Sequence, residues 1–388
     1  MHFLTDALAQ MKSRRLYRQA AALNPINPLE VEQNSQKYLL LASNNYLSLT
    51  HHPSVQKAAM AAIAAYGTGA GGARLTTGSH PLFAQLEQEL AAFKGTEAAL
   101  VFNTGYMANL GIISALADNH DAIFSDELNH ASIIDGCRLS RARVVVYRHN
   151  DMDHLGQLLA NTSCQGKKLI VTDGVFSMDG DIAPLDKLTD LAGQHNAIVI
   201  VDDAHATGVL GSAGKGTAAF FGVSRKVQVQ MGTLSKALAA EGGFVAGSTD
   251  LIDYLRNKAR SFIFSTALSP ATTAAALAAL RELSAHPDMV ERLGENAQYL
   301  RARLKANGLN IPEGITPIIA VIVGGEEHTL KLADELKEQG IMVSAIRPPT
   351  VPAGTSRLRL TVTAGHDRRQ LATAADKIAA AARQLGIL

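Results

Sequence analysis

Two segments of the sequence carry side chains that can form covalent bonds and move protons. In segment 232–243, GTLSKALAAEGG, one lysine, Lys236, lies between a hydroxyl-rich turn and paired glycines, a setting that a solvated surface lysine does not need. In VDDAHATGVLG, Asp202 and His205 follow the apolar run AIVIV. A carboxylate at the end of a buried strand costs free energy unless it has a partner. The sequence therefore predicts a partner for Asp202.

Two further segments supply an aromatic ring and backbone donors. His130, in DELNHASIIDG, is placed to lie against a flat group, and Gly105 and Tyr106 begin a predicted helix. The N–H groups at a helix start bind phosphate well. A fixed lysine, a strand-end aspartate, a stacking histidine and a phosphate-binding helix start match the requirements of pyridoxal phosphate. The lysine would form a Schiff base, and the aspartate would keep the pyridine nitrogen protonated.

The elements that must position these side chains are short strands alternating with helices. Near-continuous apolar runs separated by helical spans favour an α/β fold with a mostly parallel seven-stranded sheet between helices. The predicted strands are 98–104, 122–126, 143–149, 168–174, 197–205, 227–231 and 242–248. Ligands of such sheets bind at the carboxyl ends of the strands. We therefore expect the four segments to meet at one edge of the sheet.

The pattern of predicted helices and strands divides the chain into three parts. They are an N-terminal segment with a short helix (1–45), a large cofactor-binding domain (46–285) and a smaller α+β C-terminal domain (286–388). The segment NPINP, residues 24–28, is expected to break the chain. Pro81 suits the first position of a helix that Gly95 would end.

The sequence supports three other kinds of site less well: a dinucleotide site, a metal cluster and a serine–lysine pair. The glycines of GTGAGG have dinucleotide-binding spacing, but they follow a helical segment rather than a strand. Segment 149–154, HNDMDH, could be drawn as a metal cluster, yet a strand end capped by an aspartate explains it better, and no metal is expected. Ser235 beside Lys236 could indicate a serine–lysine acyl enzyme. Adjacent helical residues point about 100° apart, which disfavours that geometry.

Composition limits the classes of partner. The chain has 388 residues, 47% hydrophobic and 18% charged, with a net charge of +1, which argues against a nucleic-acid partner. No apolar run is long enough to span a bilayer, so no membrane partner is expected, and the N-terminus lacks the apolar region of a secretory signal. Cys137 and Cys164 have no ligand-like spacing and fit reduced thiols. These features predict a cytoplasmic protein.

Over nearly its whole length the chain resembles the α-oxoamine synthases, which are pyridoxal-phosphate enzymes of fold type I. The segments that carry the resemblance are SNNYLSL, GTGAGGARLTTGSH, LNHASIIDG, DGVFSMDGDIAPL, VDDAHATGVLG, GTLSKALAAEGG and AIRPPTVPAGTSRLRLT. Ser48 stands where glycine is common in the family, and Asn45 stands where aspartate is frequent. Both are expected near the substrate entrance, so they bear on the choice of substrate.

The resemblance implies roles for single residues. Lys236 would be the Schiff-base lysine and the base that removes the substrate's Cα proton, Asp202 would pair with the pyridine nitrogen, and His130 would stack on the ring. The remaining implied cofactor contacts are Gly105, Tyr106, Ser177, His205 and Thr233, with Thr266 reaching the phosphate of a neighbouring subunit. The implied substrate contacts are Arg359 on the amino-acid carboxylate, Asn44 nearby, and Arg18 and Thr350 on the acyl substrate. For Arg18, a solvated helix face is an equal alternative.

The activity that the resemblance implies is a decarboxylative condensation of an amino acid with an acyl thioester in a homodimer with shared active sites. The segment RPPTVPAGTSRLRLT favours L-alanine and a pimeloyl thioester, carried by coenzyme A or by acyl-carrier protein. The nearest alternative is glycine C-acetyltransferase, which uses glycine and acetyl-CoA. An alternative of another class is a non-catalytic protein that keeps the cofactor fold as a scaffold.

Overall fold

A computed structural model of the chain describes residues 1–13 and 16–388. The helices are α1 His2–Ser13, α2 Pro53–Tyr66, α3 Pro81–Lys94, α4 Gly105–Leu116, α5 Ala131–Ser140, α6 Met152–Asn161, α7 Leu185–Gln194, α8 Thr217–Phe220, α9 Thr249–Lys258, α10 Arg260–Ile263, α11 Pro270–Ala285, α12 Asp288–Ala306, α13 Glu326–Glu338 and α14 Arg368–Gln384. The strands are β1 Asn24–Asn27, β2 Glu30–Gln33, β3 Gln36–Leu40, β4 Ala98–Phe102, β5 Ala122–Asp126, β6 Arg143–Tyr147, β7 Lys168–Asp173, β8 Ala197–Asp202, β9 Val229–Thr233, β10 Gly243–Gly247, β11 Ile318–Gly324, β12 Ile341–Met342, β13 Ser344–Ile346 and β14 Ser356–Thr361. No helix in these described ranges is long and apolar enough to cross a membrane.

The central element is a seven-stranded sheet in the order β4-β10-β9-β8-β7-β5-β6. Strands β5 to β9 are parallel to their neighbours in this group, whereas β10 runs antiparallel to both β4 and β9. The predicted mostly parallel seven-stranded sheet is therefore confirmed. Several strand bounds differ by one to three residues: β4, β6, β7 and β8 end earlier than predicted, β10 is shorter at both ends, and β9 covers 229–233 instead of 227–231. Thr233 consequently lies at a strand end rather than in the turn.

Both faces of this sheet are covered, because successive side chains of a strand point to opposite sides. In β4, Val101 packs with Leu86 of α3 on one face, whereas Leu100 and Phe102 pack with Ile112 of α4 on the other. All five side chains are almost completely buried. The strand ends and the loops that follow them are the places where polar side chains can reach solvent or a ligand.

A smaller group of elements surrounds a separate core near the C-terminus. Strands β11, β14 and β13 form an antiparallel sheet, and its core includes Leu300 of α12, Leu332 of α13 and Leu371 of α14. Strand β3 pairs in parallel with β12, so the N-terminal strands share a four-stranded sheet with this region. The predicted smaller α+β part is confirmed as a fold feature. The domain boundaries at 45 and 285 stay predictions.

The expected chain break at 24–28 is wrong, because residues Asn24–Asn27 form β1 at the edge of the four-stranded sheet. An edge strand tolerates proline, whose missing N–H group need not pair. The chain turns just after it, where the side-chain oxygen of Asn27 accepts the N–H of Leu29 at 2.8 Å. The short N-terminal helix is confirmed as α1, and most of its residues are exposed.

Local signals place other helix ends as predicted. Helix α3 begins at Pro81, and Gly95 ends it in the left-handed conformation with φ of +70°. The metal-like segment HNDMDH is the start of α6, where the carboxylate of Asp151 accepts the N–H of His154 at 2.8 Å. The helix α2 precedes the glycine-rich segment, so those glycines lack the strand that a dinucleotide site requires.

Candidate active site

A cavity of about 200 Å³ lies at the carboxyl ends of the parallel strands. Its lining residues are Thr104, Gly105, Tyr106, His130, Ser132, Asp173, Asp202, Ala204, His205, Met231, Thr233, Ser235 and Lys236. All four segments singled out in the sequence therefore meet in one place. The structure brings together the lysine, the strand-end aspartate, both histidines and the start of α4.

One end of the cavity carries hydrogen-bond donors. Helix α4 begins at Gly105, and the hydroxyl of Thr104 caps it by accepting the N–H of Met107 at 3.0 Å. The other N–H groups of the first turn have no partner within the helix, so they can bind an anion. The hydroxyls of Thr233 and Ser235 lie 2.8 Å apart at the same end. Together these groups form a site suited to phosphate.

A side chain at position 105 would make close contacts inside the cavity. A Cβ atom there would lie 3.2 Å from Cε of Met231 and 3.4 Å from Oγ1 of Thr233. Both side chains also line the cavity, so a larger residue would crowd the donors of α4. Tyr106, the next residue, donates its hydroxyl to Asp135 and lies edge-on to His130.

Asp202 is the last residue of β8, and only 4% of it is exposed. Its two carboxylate oxygens accept hydrogen bonds from Asn109 Nδ2 at 2.6 Å and from the N–H of Ala204 at 2.8 Å. Asp173 occupies the matching register position of the neighbouring strand β7. Burial, followed by the charge of Asp202, raises the pKa of Asp173 well above its usual range. Asp202 is thus a buried carboxylate with neutral donors, beside a carboxyl group that resists ionisation.

His130 has a defined tautomer. Its Nδ1 accepts the backbone N–H of Ser132 at 3.2 Å and lies 2.7 Å from the hydroxyl of the same residue. A backbone N–H can only donate, so the ring proton of neutral His130 is on Nε2. Asn109 donates to this serine at 2.9 Å, which links the histidine to Asp202 through neutral groups. Burial lowers the pKa of His130, with the charge of Asp202 acting in the opposite direction.

Lys236 lies in the loop that joins β9 to β10, as the sequence predicts. Burial is the largest influence on its amine and lowers its pKa, although the charges of Asp202 and Asp173 oppose that shift. A neutral amine is therefore available at lower pH than for a solvated lysine. A nucleophilic or basic role requires that form.

A second polar group lies beside the cavity, around Arg359 of β14. This side chain is 6% exposed, and its Nη2 donates to Oδ1 of Asn44 at 3.2 Å. Its Nε donates to the main-chain oxygen of Ser177. Tyr46 connects this group to the cavity, because its hydroxyl lies 2.7 Å from Nδ1 of His205. Arg359, Asn44 and Ser177 are thus brought together next to the cavity.

Three predicted site residues belong neither to the cavity lining nor to the group around Arg359. Thr266 is exposed, and its main-chain oxygen accepts Nδ2 of Asn103 at 2.6 Å. Thr350 is exposed in a turn, and Arg18 is exposed outside any helix, so the helix-face interpretation of Arg18 is not supported. The roles of these residues stay predictions.

The two departures from the family pattern have local structural explanations. Ser48 adopts φ of +59°, in the left-handed region where glycine is favoured. Its hydroxyl donates to Thr363 at 3.0 Å and accepts the N–H of Gly365 at 3.2 Å. Asn45 donates to the hydroxyl of Thr50 at 2.9 Å. Neither Ser48 nor Asn45 lines the cavity.

The polar residues that sequence reasoning missed at this site include Asp173, Asn109, Ser132 and Tyr46. Some signals were available. Asn109 is four residues after Gly105, so it lies on the same side of α4. Ser132 follows a histidine at a helix start, where it can share in capping. The strand register that places Asp173 beside Asp202 leaves no mark on the sequence.

The loop that contains Ser177 is held by an ion-pair cluster. His149 lies 3.0 Å from Asp126 and 2.7 Å from Asp181, and its ring packs edge-on against Phe176. Burial lowers the pKa of His149, but hydrogen bonds and charges from the two carboxylates outweigh it and raise the pKa to about 10. Protonated His149 therefore ties β5, β6 and the loop after β7 together.

We expect a pH-dependent contribution of His149 to stability. Because its pKa is raised from 6.5 in the unfolded chain to about 10 in the folded one, the contribution is complete below pH 6.5 and is lost as pH rises towards 10. The difference in thermal midpoint between wild type and His149→Gln should therefore shrink over that range. His195→Gln is the control. An equal difference at pH 6 and pH 10 would contradict the assignment.

The chain is similar in sequence and in fold to known proteins. The family model described as "Aminotransferase class I and II" matches residues 36–378. The chain belongs to this family. It is 49% identical to the 8-amino-7-oxononanoate synthase of Lysinibacillus sphaericus, with 98% of each chain covered, and 49% identical to that of Geobacter sulfurreducens, with 99% of each covered.

Solved structures of family members have the same fold. A serine palmitoyltransferase from S. paucimobilis with bound PLP is 34% identical, with a TM-score of 0.94 over 99% of this chain and 98% of that one. An 8-amino-7-oxononanoate synthase from Francisella tularensis is 32% identical, with a TM-score of 0.77 over 89% and 98%. The chain is thus an enzyme of this family, and its cofactor is pyridoxal phosphate.

The cavity fits this cofactor chemically. The helix start at Gly105 and the hydroxyls of Thr233 and Ser235 suit a phosphate dianion, and the carboxylate of Asp202 suits a protonated pyridine nitrogen. Lys236 supplies an amine in the same cavity. The donor, acceptor and amine groups of one small cavity therefore match the phosphate, the pyridine nitrogen and the aldehyde of pyridoxal phosphate.

Proposed function

We propose that this chain catalyses the decarboxylative condensation of L-alanine with a pimeloyl thioester, giving 8-amino-7-oxononanoate, carbon dioxide and the free thiol of the acyl carrier, for biotin biosynthesis. The observation that carries the proposal is one cavity that holds Lys236, Asp202, His130 and His205, with Arg359 beside it. The relatives' printed name supports the choice of substrates.

In this mechanism Lys236 removes and returns a proton at Cα of the amino acid. Pyridoxal phosphate supplies the electron sink for the pair left at that carbon. Because burial lowers the pKa of Lys236, a larger share of its amine is in the basic form needed for proton removal than for a solvated lysine. The same amine attaches the cofactor between turnovers, so one residue serves as both anchor and base.

The other residues bind and orient. We propose that Asp202 pairs with the pyridine nitrogen, that His130 stacks on the ring and that His205 and Ser177 lie near the ring hydroxyl. Gly105, Tyr106 and Thr233 would hold the phosphate end. Arg359, with Asn44 beside it, would hold the amino-acid carboxylate through a two-pronged hydrogen bond. Arg18 and Thr350 would contact the acyl substrate.

Substrate competition tests the proposal directly. Purified enzyme should turn over L-alanine with pimeloyl-CoA, or with pimeloyl-acyl-carrier protein, far faster than glycine with acetyl-CoA. Running both acyl carriers side by side identifies the preferred one. Faster turnover of glycine and acetyl-CoA would favour glycine C-acetyltransferase. A protein that binds no pyridoxal phosphate and turns over neither pair would favour the scaffold alternative.

We further propose that the enzyme is a homodimer with shared sites. Four large apolar side chains from this part of the sequence are exposed in the single chain, and one of them, Tyr106, lines the cavity: Leu75 50%, Tyr106 41%, Leu128 46% and Phe264 70%. A partner chain that covered them would remove this apolar surface from water. Thr266, two residues after Phe264, would then reach the phosphate of the partner's site. Reduced Cys137 and Cys164, both free thiols, support the cytoplasm as the compartment.

Loss of the Thr266 hydroxyl should weaken cofactor binding. A hydrogen bond to a charged group is worth about 1.5–3 kcal/mol, so Thr266→Ala should raise the dissociation constant for pyridoxal phosphate roughly 10- to 100-fold. Because a ligand held by both chains favours their association, removing cofactor should also weaken the dimer. Sedimentation of holo- and apoenzyme over a dilution series measures both. Ser265→Ala is the matched control, and a fully active monomeric holoenzyme would contradict the shared site.

A further inference from the structure

The phenol of Tyr46 lies between the cavity and the group around Arg359. Tyr46 is completely buried, and its oxygen is 2.7 Å from Nδ1 of His205 and 3.4 Å from Oδ1 of Asn44. The two rings meet edge-on, with centroids 6.1 Å apart. This contact joins a side chain that lines the cavity to one that does not.

The direction of the hydrogen bond follows from the neighbours. A phenol has one proton to give, and an imidazole nitrogen can donate or accept. The Asn44 oxygen already accepts from Arg359 at 3.2 Å, and its 3.4 Å separation from the phenol is long for an O–H donor. The distance of 2.7 Å between the phenol oxygen and Nδ1 of His205 is an ordinary hydrogen-bond length. The phenolic proton therefore points at Nδ1.

We propose that Tyr46 is a positioning residue that donates to Nδ1 of His205 and so keeps the imidazole proton on Nε2, the nitrogen left for the cavity. His205 then presents an N–H donor to whatever occupies the cavity. If the proton were on Nδ1 instead, Nε2 would be an acceptor and would repel an anionic oxygen in the cavity.

The protonation states agree with this arrangement. Burial raises the pKa of Tyr46 to about 12, so the phenol keeps its proton at neutral pH. Burial, with the charges of Lys236 and Arg359, holds the pKa of His205 well below its usual range. A neutral imidazole has one N–H group, and its location is then decided by the hydrogen bond at the other nitrogen.

The inference deepens the proposed role of His205 near the cofactor's ring hydroxyl. Its expected effect on turnover rests on that proposed role, whereas the tautomer does not. The tautomer itself can be measured without turnover. In apoenzyme labelled with ¹⁵N-histidine, long-range ¹H–¹⁵N correlation distinguishes the two tautomers, and the His205→Gln variant identifies the signal. We expect His205 with its proton on Nε2 in wild type. A proton on Nδ1 would overturn the proposal before any tyrosine variant is made.

The variant Tyr46→Phe tests the cause. Without the phenol, we expect His205 to populate both tautomers, whereas Tyr38→Phe should leave it unchanged. Tyr38 is a matched control, because it is also buried and its hydroxyl bonds to Gln36 outside the site. An unchanged tautomer in folded Tyr46→Phe would overturn the proposal. If that variant does not fold, the tautomer of His205 in the wild type still tests the proposal, because a proton on Nδ1 would overturn it.

Steady-state kinetics of Tyr46→Phe distinguishes the positioning of His205 by Tyr46 from a role of Tyr46 in positioning Arg359. One neutral hydrogen bond corresponds to roughly a 10-fold effect, so Tyr46→Phe should lower kcat by about that factor with little change in KM for the amino acid. A raised KM with unchanged kcat and an unchanged tautomer would mean that Tyr46 serves Arg359 instead, which contradicts the proposal. Failure to turn over alanine in wild type would contradict the proposed function but not the tautomer.

Discussion

Lys236→Ala should lower kcat by at least about 1,000-fold while the protein still binds pyridoxal phosphate. The loss is large because the variant lacks both the covalent attachment and the proton-transferring amine, and general acid–base catalysis alone contributes roughly 100- to 10,000-fold. Binding should survive, since the N–H groups at Gly105 and the carboxylate of Asp202 remain in the cavity.

Borohydride reduction followed by denaturation and mass spectrometry gives a second measurement. Wild type should retain the cofactor covalently, whereas Lys236→Ala should release it. Lys226→Ala is the control, because Lys226 is exposed and pairs with Asp190 away from the cavity. Partial rescue of Lys236→Ala by small primary amines is expected if the missing function is that of a base. Multiple turnovers at the wild-type rate in this variant would remove Lys236 from its role.

Asp202→Asn should slow the exchange of alanine's Cα hydrogen with solvent by roughly 100- to 1,000-fold, the usual effect of removing one preorganised electrostatic group. The amide has nearly the same shape as the carboxylate but no charge to hold a protonated pyridine nitrogen. Exchange in D₂O without acyl thioester, followed by proton NMR, reports this step alone. Wild-type exchange would contradict the assignment.

Asp173→Asn is an informative comparison for that experiment. Asp173 occupies the register position beside Asp202 and also lines the cavity. Because its pKa is raised well above the usual range, a neutral amide there changes the charge less. We therefore expect a much smaller loss than for Asp202→Asn. Equal losses in the two variants would mean that the charge of Asp202 does not explain the effect.

The apolar runs, the helix ends and the polar segments after strands were all predictable from the sequence. A near-continuous apolar run such as AIVIV is typical of a strand that is buried on both faces of a parallel sheet. The local pattern therefore predicts both the strand and the kind of sheet that contains it. Pro81 and Gly95 define a helix through their own backbone preferences. The placement of Lys236 between two strands follows in the same way.

Residue types and spacing do not reveal contacts between residues that are distant in sequence. Tyr46 meets His205 across 159 positions, a contact that only the tertiary structure shows, and Arg359 meets Asn44 across 315, a proximity that the family resemblance implied. Neither pair is marked by periodicity or spacing, because the packing of separate elements sets the distance. The tautomer of His130, in contrast, depends on Ser132 two residues away, and the helix start that joins them is visible in the sequence.

The sequence by itself determined the fold class, the cofactor chemistry and the family, because these depend on local patterns and on residue types that pyridoxal phosphate requires. The tertiary structure alone decided which neutral groups surround Asp202 and how protons are distributed in the cavity. Burial and the register of β7 with β8 place Asp173 against Asp202. Shifts in pKa arise from such three-dimensional proximity, which a linear chain does not specify.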